Sequence, residues 1–528
     1  MRKIARRAAA LATLGGAFLA AGARGSAREL RVGLAAEPGA LDPHFQNVPA
    51  DVQIAAHMFE ALVARDEALN LAPALAVSWR AVDDTTWEFK LRAGVRFHDG
   101  SDLTAADVVF SLARAARVPN SAAPFAPLLR QVAGVDAVDD ATIRIRTSVP
   151  LPTLPANLAA IRVVSRQAAS GPAPEGRTTD ELNRGEGLVG TGPFRFAAWA
   201  RGKELALTRH DAYWGAAPAW TRVDFHVLPN ATTRVAALES GDVDIIEAPT
   251  AADLPRLSGD QRLALARAPS TRAVHVHLDH FAEPTPGIPD AGGRNPLKDR
   301  RVREALSLAI DRDALVADAL GGIGWAAGDF LPFPMFGARR GAAPAKSDPA
   351  RARALLAEAG YPAGFSLTLG APNGAFAQDT RVAAAVAARW SAVGIKTQVE
   401  ASAPSAFLKN RDDHRYSAYL AVRNTASGDM GDALRALVAT PSPERGAGDN
   451  NRGRYSNPAV DAALAEALRA VDPDRRRAAL EEASRLAIAD FAVLPLYFEP
   501  RLWAMKRGLT YAARADGLTF AWRVAPAS

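Results

Sequence analysis

The chain has 528 residues, 48% of them apolar, a formal charge of +6 and no cysteine, so disulfides and thiol nucleophiles are excluded and the fold rests on its core. The first 27 residues hold five cationic side chains and no acid, leaving +1 for the rest, where Arg and acidic residues are interspersed as on an ordinary solvated surface and not as on a nucleic-acid or membrane patch. About 500 residues beyond that point are enough for a large core divided into two or three domains.

The N-terminus reads Met1-Arg2-Lys3-Ile4-Ala5-Arg6-Arg7, then an apolar run from Ala8 to Ala21, then Gly25-Ser26-Ala27, which is the grammar of a secretory signal peptide. The run is too short to span a bilayer core of about 30 Å. Cleavage is expected after Ala27, with Ala21-Gly22-Ala23 as the competing site. Arg6-Arg7 leaves twin-arginine export open, although no Ser or Thr precedes the pair. The expectation is an exported, soluble, periplasmic protein without a lipid anchor, which would need a Cys at the processing site.

Downstream, short strands alternate with capped helices, the pattern of an α/β fold. Trp87, Phe89 and Leu91 alternate with charged residues, as do Ile143 and Ile145, and both runs predict half-buried strands. Each follows an Asp-Asp lead-in, Asp83-Asp84 or Asp139-Asp140, read as turn chemistry because Asp side chains bond nearby backbone N–H groups. Thr104 with Asp107 predicts a capping box and a helix to about Arg117. Asp299 precedes Val302, Ala305, Leu306, Ala309 and Ile310, one helical face; Asp348-Pro349 and Asp472-Pro473 start two more helices, with Gly360 ending the first of these. The Pro/Gly-rich stretches 284–296 and 330–349 predict long surface loops.

Two motifs invite chemistry. Gly185-Glu186-Gly187-Leu188-Val189-Gly190 matches a dinucleotide fingerprint, but Thr191 to Phe196 leads into a strand and not a helix, so the amide cradle is missing. His275, His277 and Asp279 alternate with Val274, Val276 and Leu278, so they share one strand face, with His280 just beyond. Metal ligation is geometrically open there, and a strand with one solvent-facing side is the simpler reading. No nucleophile elbow or Walker A element occurs, so no catalytic role is expected.

The chain resembles the family 5 solute-binding proteins of ABC importers, the dipeptide, oligopeptide and nickel receptors. The resemblance rests on Glu37-Pro38-Gly39-Ala40-Leu41-Asp42-Pro43-His44, on WRAVDDTTWEFKLRAGVRFHDG at 79–100 and on Leu103 to Ser111. It continues through Gly190-Thr191-Gly192-Pro193-Phe194, Tyr213-Trp214-Gly215, Leu238 to Asp244 and Asp299 to Leu306. It implies a type II periplasmic-binding-protein fold, two lobes around a ligand cleft with an extra domain inserted in the first lobe. After the signal at 1–27, the first lobe would take 28–75, 185–275 and 500–528, the inserted domain 76–184, and the second lobe 276–499. Runs at Val274–Leu278 and Val493–Phe498 would cross between lobes.

In peptide-binding members an Asp in a loop after an aromatic residue holds the ligand's α-ammonium. The corresponding stretch implies Asp429, with Asp432 as the alternative. Where relatives carry Trp, this chain has Arg423 and Asn424, and Arg423 could instead meet a carboxylate, which would suit an opine, a glutathione-like molecule or another modified amino acid. Phe45, Asn47 and Trp325 are further cleft candidates. The implied function is capture of a small peptide or peptide-like solute by a monomer that delivers it to ABC permease subunits, with no cofactor, no metal and no nucleic acid. A nickel or metal-complex receptor would require His275, His277 and His280 to converge; a periplasmic hydrolase or chaperone is the remaining rival.

Overall fold

The structure, a computed structural model, describes residues 28–173 and 176–527, so the expected signal peptide at 1–27 lies outside the described residues. Its spine is an 11-stranded mixed sheet. Two long antiparallel strands, Leu263–Leu278 and Val493–Lys506, run through its centre and extend well beyond the runs read from sequence. Each serves two sets of neighbours. Val493–Lys506 pairs near its end with Ile245–Glu247, followed by Glu29–Leu34, Arg222–Val227, Glu204–Arg209 and Phe194–Ala200. Leu263–Leu278 pairs along its second half with Ala418–Asn424, followed by Phe365–Pro372 and Ile395–Ser402.

Between these neighbourhoods the central ladder breaks register, once between Pro269 and Ala273 and again after Val274. Pro269 lies opposite Pro500 at the first break, and neither can donate a ladder hydrogen bond. The break therefore sits where the two halves of the sheet meet.

Cores form on either side. One contains Val32, Phe59, Phe225 and Trp503; another Val276, Leu306, Trp390 and Leu420, where the helix Asp379–Ser391 connects the parallel strands Phe365–Pro372 and Ile395–Ser402. A third, with Phe89, Phe97, Ile143 and Leu154, lies under a separate four-stranded sheet made of Ala76–Asp83, Thr86–Leu91, Thr142–Thr147 and Val132–Asp139. A fourth gathers Met430, Leu464 and Leu480 around the helix Pro473–Ala489, and Leu69 and Ala515, distant in sequence, belong to it as well.

Local signals operate as expected. Asp83 accepts from the Thr85 N–H at 2.8 Å and Asp139 from the Ala141 N–H at 2.9 Å. Thr104 and Asp107 form a capping box on Ala105–Ala115, and Asp299, Asp348 and Asp472 cap Arg300–Leu308, Pro349–Glu358 and Pro473–Ala489. Gly360 has φ +92°, a left-handed conformation that suits glycine just past a helix end.

One reading is corrected. The face carrying His275, His277 and Asp279 does not meet solvent: all three are buried, because Leu263–Leu278 is an interior strand and the cluster of Phe407, Tyr416 and Tyr419 lies over that face. His277 stacks on Tyr419 with ring centroids 4.9 Å apart and 11° between planes. Gly190 closes the fingerprint-like motif for packing. A Cβ there would stand 2.1 Å from the Met58 carbonyl oxygen, and the strand Phe194–Ala200 follows.

Candidate functional site

The helix Pro49–Met58 stops at Phe59, whose backbone is extended, and the chain then presents Glu60. Its carboxylate accepts from the Tyr213 hydroxyl at 2.8 Å and from the Trp214 indole N–H at 2.7 Å. Burial raises the Glu60 pKa, against the lowering effect of these donors and of nearby Arg162. Backbone bonds hold Arg162 beside it. Ala61 and Arg162 form an antiparallel bridge, the Val163 N–H donates to the Glu60 carbonyl at 2.7 Å, and His44 Nε2 donates to the Arg162 carbonyl at 2.7 Å.

A cavity of about 310 Å³ opens beside this pair, between the helix end, the hairpin Val63–Arg65/Leu71–Pro73 and the segment 514–523. Ala426, which follows the strand Ala418–Asn424, reaches its lining. Phe59, Tyr213, Trp214 and Phe520 supply apolar wall, and Glu60, Arg65, Arg162, Arg514, Asp516 and Arg523 supply charge. An apolar wall with a few convergent charged groups, at the lower end of ligand-pocket sizes, is suited to a small polar organic molecule.

The charges are unequally partnered. Arg514 is paired with Asp516 at 2.7 Å. Arg65 donates to the Ser427 carbonyl, across the junction of the sheet halves, and to the Ala156 carbonyl at 3.1 Å. Arg162 has a buried Nε with no hydrogen-bond partner and no ion pair within 4.0 Å among the described residues. Burial pulls its pKa down to about 10, Glu60 raises it and Arg514 lowers it further; the side chain is cationic at any physiological pH.

The expected site residues fall into three places. Arg423, Asn424, Asp429 and Asp432 come together where Ala418–Asn424 ends and the helix Met430–Leu437 begins. Asn424 accepts from Thr271 Oγ1 at 2.8 Å on the long strand, and Arg423 lies 3.6 Å from Asp432, which also accepts from Ser427 Oγ at 3.0 Å. Asp429 caps the helix through the Gly431 N–H at 2.8 Å, and both its oxygens are held by Arg476, at 2.6 and 2.9 Å. An arriving ammonium would meet an ion pair there, not a free carboxylate. Trp325 pairs with Phe498 on the second long strand, with the Arg267 guanidinium 5.7 Å from its ring centre. Phe45 lines a different hollow with Arg114, Arg177 and Arg201, and exposed Asn47 is tied by its N–H to the Ala123 carbonyl at 2.8 Å.

The floor at the register break also carries charge that sequence reading passed over. Arg272 is ion-paired with Glu499. Arg501 has a buried, partnerless Nε, and burial together with Arg272 lowers its pKa. Arg162 and Glu60 were missed as well. Their signal was an isolated charge inside an apolar run, Phe59-Glu60-Ala61-Leu62 and Ile161-Arg162-Val163-Val164.

The histidines do not make a metal centre: His280 Nε2 donates to the Ala492 carbonyl at 2.9 Å, and no group of three potential ligands converges among the described residues. No helix among them is long and apolar enough to cross a membrane.

The model of bacterial extracellular solute-binding proteins, family 5 Middle, matches residues 70–443. The glutathione-binding protein GsiB of Pectobacterium atrosepticum is 29% identical over 480 residues, covering 89% of this chain and 88% of that protein. Heme-binding protein A of Haemophilus influenzae is 28% identical, with 77% and 75% covered. The solved structure of the murein tripeptide-binding protein MppA in its unliganded open form superposes with a TM-score of 0.82 at 23% identity, covering 95% of this chain and 98% of that one.

Proposed function

The chain belongs to the bacterial extracellular solute-binding proteins of family 5, and from that premise we propose that it is the periplasmic capture component of an ABC importer. It binds a peptide or peptide-like solute between two lobes, releases it to the membrane permease and performs no chemistry on it. Its relatives named for dipeptides and glutathione support this ligand class.

The observation that carries the mechanism is the pair of long strands whose ladder breaks opposite Pro269 and Pro500. In this reading 28–75, 185–275 and 500–528 form one lobe, with 76–184 inserted in it, and 276–499 form the other. Few backbone bonds resist bending at the break, so the lobes can rotate as bodies about it. A solute touching both lobes gains contacts only when they close, and so shifts the population toward the closed form that a permease would recognise. Arg423 and Asn424, at the end of one crossing neighbour, and Trp325, paired with the other long strand, lie where such contacts would form.

The test joins binding to closure. Peptides, glutathione and opines are screened by thermal shift, and hits are followed by small-angle scattering. A solute at 100 times its Kd should stabilise the fold by about 2.7 kcal/mol and reduce the radius of gyration. Stabilisation without compaction would reject capture by closure, and turnover of any solute would reject a purely binding role.

A further inference from the structure

The cavity beside Glu60 holds one more positive charge than its neighbours neutralise. Four arginines, Arg65, Arg162, Arg514 and Arg523, line it with two acids, Glu60 and Asp516, and Glu67 outside the lining neutralises Arg523. Arg514 and Asp516 are paired, Glu60 is held by Tyr213 and Trp214, and the rim residue Arg523 is 3.4 Å from Glu67. Arg65 spends its donors on two carbonyls, which satisfies its hydrogen bonds without cancelling its charge. Arg162 spends none on the described protein.

Arg162 is half-buried, and its Nε is buried without a partner; a charge held away from water in this way is costly, and a fold normally pairs or exposes it. Here the backbone of Arg162 is fixed twice, by the bridge to Ala61 that includes the bond from Val163 to Glu60 and by His44, so the side chain starts from a set position at the cavity wall. It borders a space large enough for part of a small organic molecule, with Phe59 and Trp214 as wall.

We infer that Arg162, assisted by Arg65, forms an anion subsite that takes one carboxylate of the captured solute, so that the receptor selects peptide-like ligands with a free carboxylate over their neutral counterparts. This rests on the capture function proposed above. The planar fork of a guanidinium matches a carboxylate in two parallel hydrogen bonds, and one excess positive charge matches one anion. The carboxylate can come from a C-terminus or from an acidic side chain.

Three peptides separate these sources: trialanine as the free acid, trialanine amide, and Ala-Glu-Ala amide. Calorimetry is run on the wild type and on Arg162→Met, which keeps much of the side-chain volume and removes the unpartnered charge. The wild type should bind at least one carboxylate-bearing peptide about tenfold or more tightly than trialanine amide, and Arg162→Met should erase that preference. Its melting temperature should be unchanged or higher, a result that a purely structural arginine would not give. Equal affinity of all three for the wild type, or an equal loss for all three in the variant, would overturn the subsite. Glutarate, a bare dicarboxylate, separates the two readings. If no peptide binds but glutarate does, and Arg162→Met abolishes it, peptide capture fails while the anion subsite stands; if glutarate does not bind either, the subsite is rejected.

Discussion

Asp429 and Arg476 form a two-pronged ion pair, with Nη1 2.6 Å from one carboxylate oxygen and Nη2 2.9 Å from the other, and both side chains are buried in the core around Met430 and Leu480. The same carboxylate caps the helix Met430–Leu437. Asp429→Ala removes the cap and leaves Arg476 buried without its partner, which should cost about 3–5 kcal/mol in urea unfolding. Asp429→Ala with Arg476→Met should recover a large part of that loss. A single variant as stable as the wild type would show the pair to be dispensable and leave Asp429 free to meet a ligand.

His57 sets a second expectation. Its Nδ1 donates to the Gln53 carbonyl at 2.8 Å and its Nε2 accepts the Ala521 N–H at 3.0 Å, so only the neutral ring fits. Burial, reinforced by Arg162, holds its pKa at about 3, and burial holds His44 and His98 at about 4. Unfolded histidines titrate near ~6.5. Between that value and the folded pKa values the unfolded chain binds protons that the folded chain refuses, so stability present at pH 7 is lost as pH falls through about 6.5 toward 4. Urea midpoints at pH 7, 6 and 5 should decline in that order. Equal midpoints at pH 7 and 5 would contradict the neutral, buried state of these rings.

What could be read from the sequence divides by the range of the interaction. Asp299, Asp348 and Asp472 bond the N–H groups of the next helical turn, so a few consecutive residues contain the whole cause. The alternation at Val274 to Leu278 was legible as a strand, but burial of its His275 face depends on Phe407 and Tyr416, more than a hundred residues away. The resemblance picked out Asp429 as a loop acid, whereas its capping of Met430–Leu437 and its commitment to Arg476 depend on how Pro473–Ala489 packs. The cavity was the least legible feature, because Glu60, Arg162, Tyr213 and Arg514 come from four distant segments. The family resemblance captured the fold through motifs that keep order and spacing, and those motifs are mostly turns, caps and close backbone approaches.

Gly190 is the sharpest of those approaches. The His98 N–H donates to its carbonyl at 2.9 Å, and its Cα lies so close to Met58 that a methyl group would overlap the carbonyl oxygen. Both neighbours are backbone or tightly packed core, so the clash cannot be relieved by a side-chain rotation. Gly190→Ala should destabilise by more than about 3 kcal/mol, with expression falling and no change in unfolding cooperativity for the fraction that folds. A benign Gly190→Ala would mean that the junction between Met58 and Gly190 is looser than drawn.

Glu60 links the fold to the cavity, and its replacement separates charge from shape. In Glu60→Gln one of the two donors, the Tyr213 hydroxyl or the Trp214 indole N–H, loses its acceptor, because the amide offers one oxygen where the carboxylate offered two. The hydroxyl can rotate and accept from the new NH₂, but the indole N–H has no such alternative, so the oxygen should turn toward Trp214. The loss of charged hydrogen bonds should cost about 1–3 kcal/mol in unfolding. The same change removes the negative charge nearest to Arg162, so the cavity gains affinity for an anion even as the fold weakens. Glu60→Gln should therefore lower the melting temperature of the free protein while increasing the shift produced by a carboxylate-bearing ligand. A fall in both would mean that Glu60 positions the ligand itself, and a fall in neither would remove it from the site.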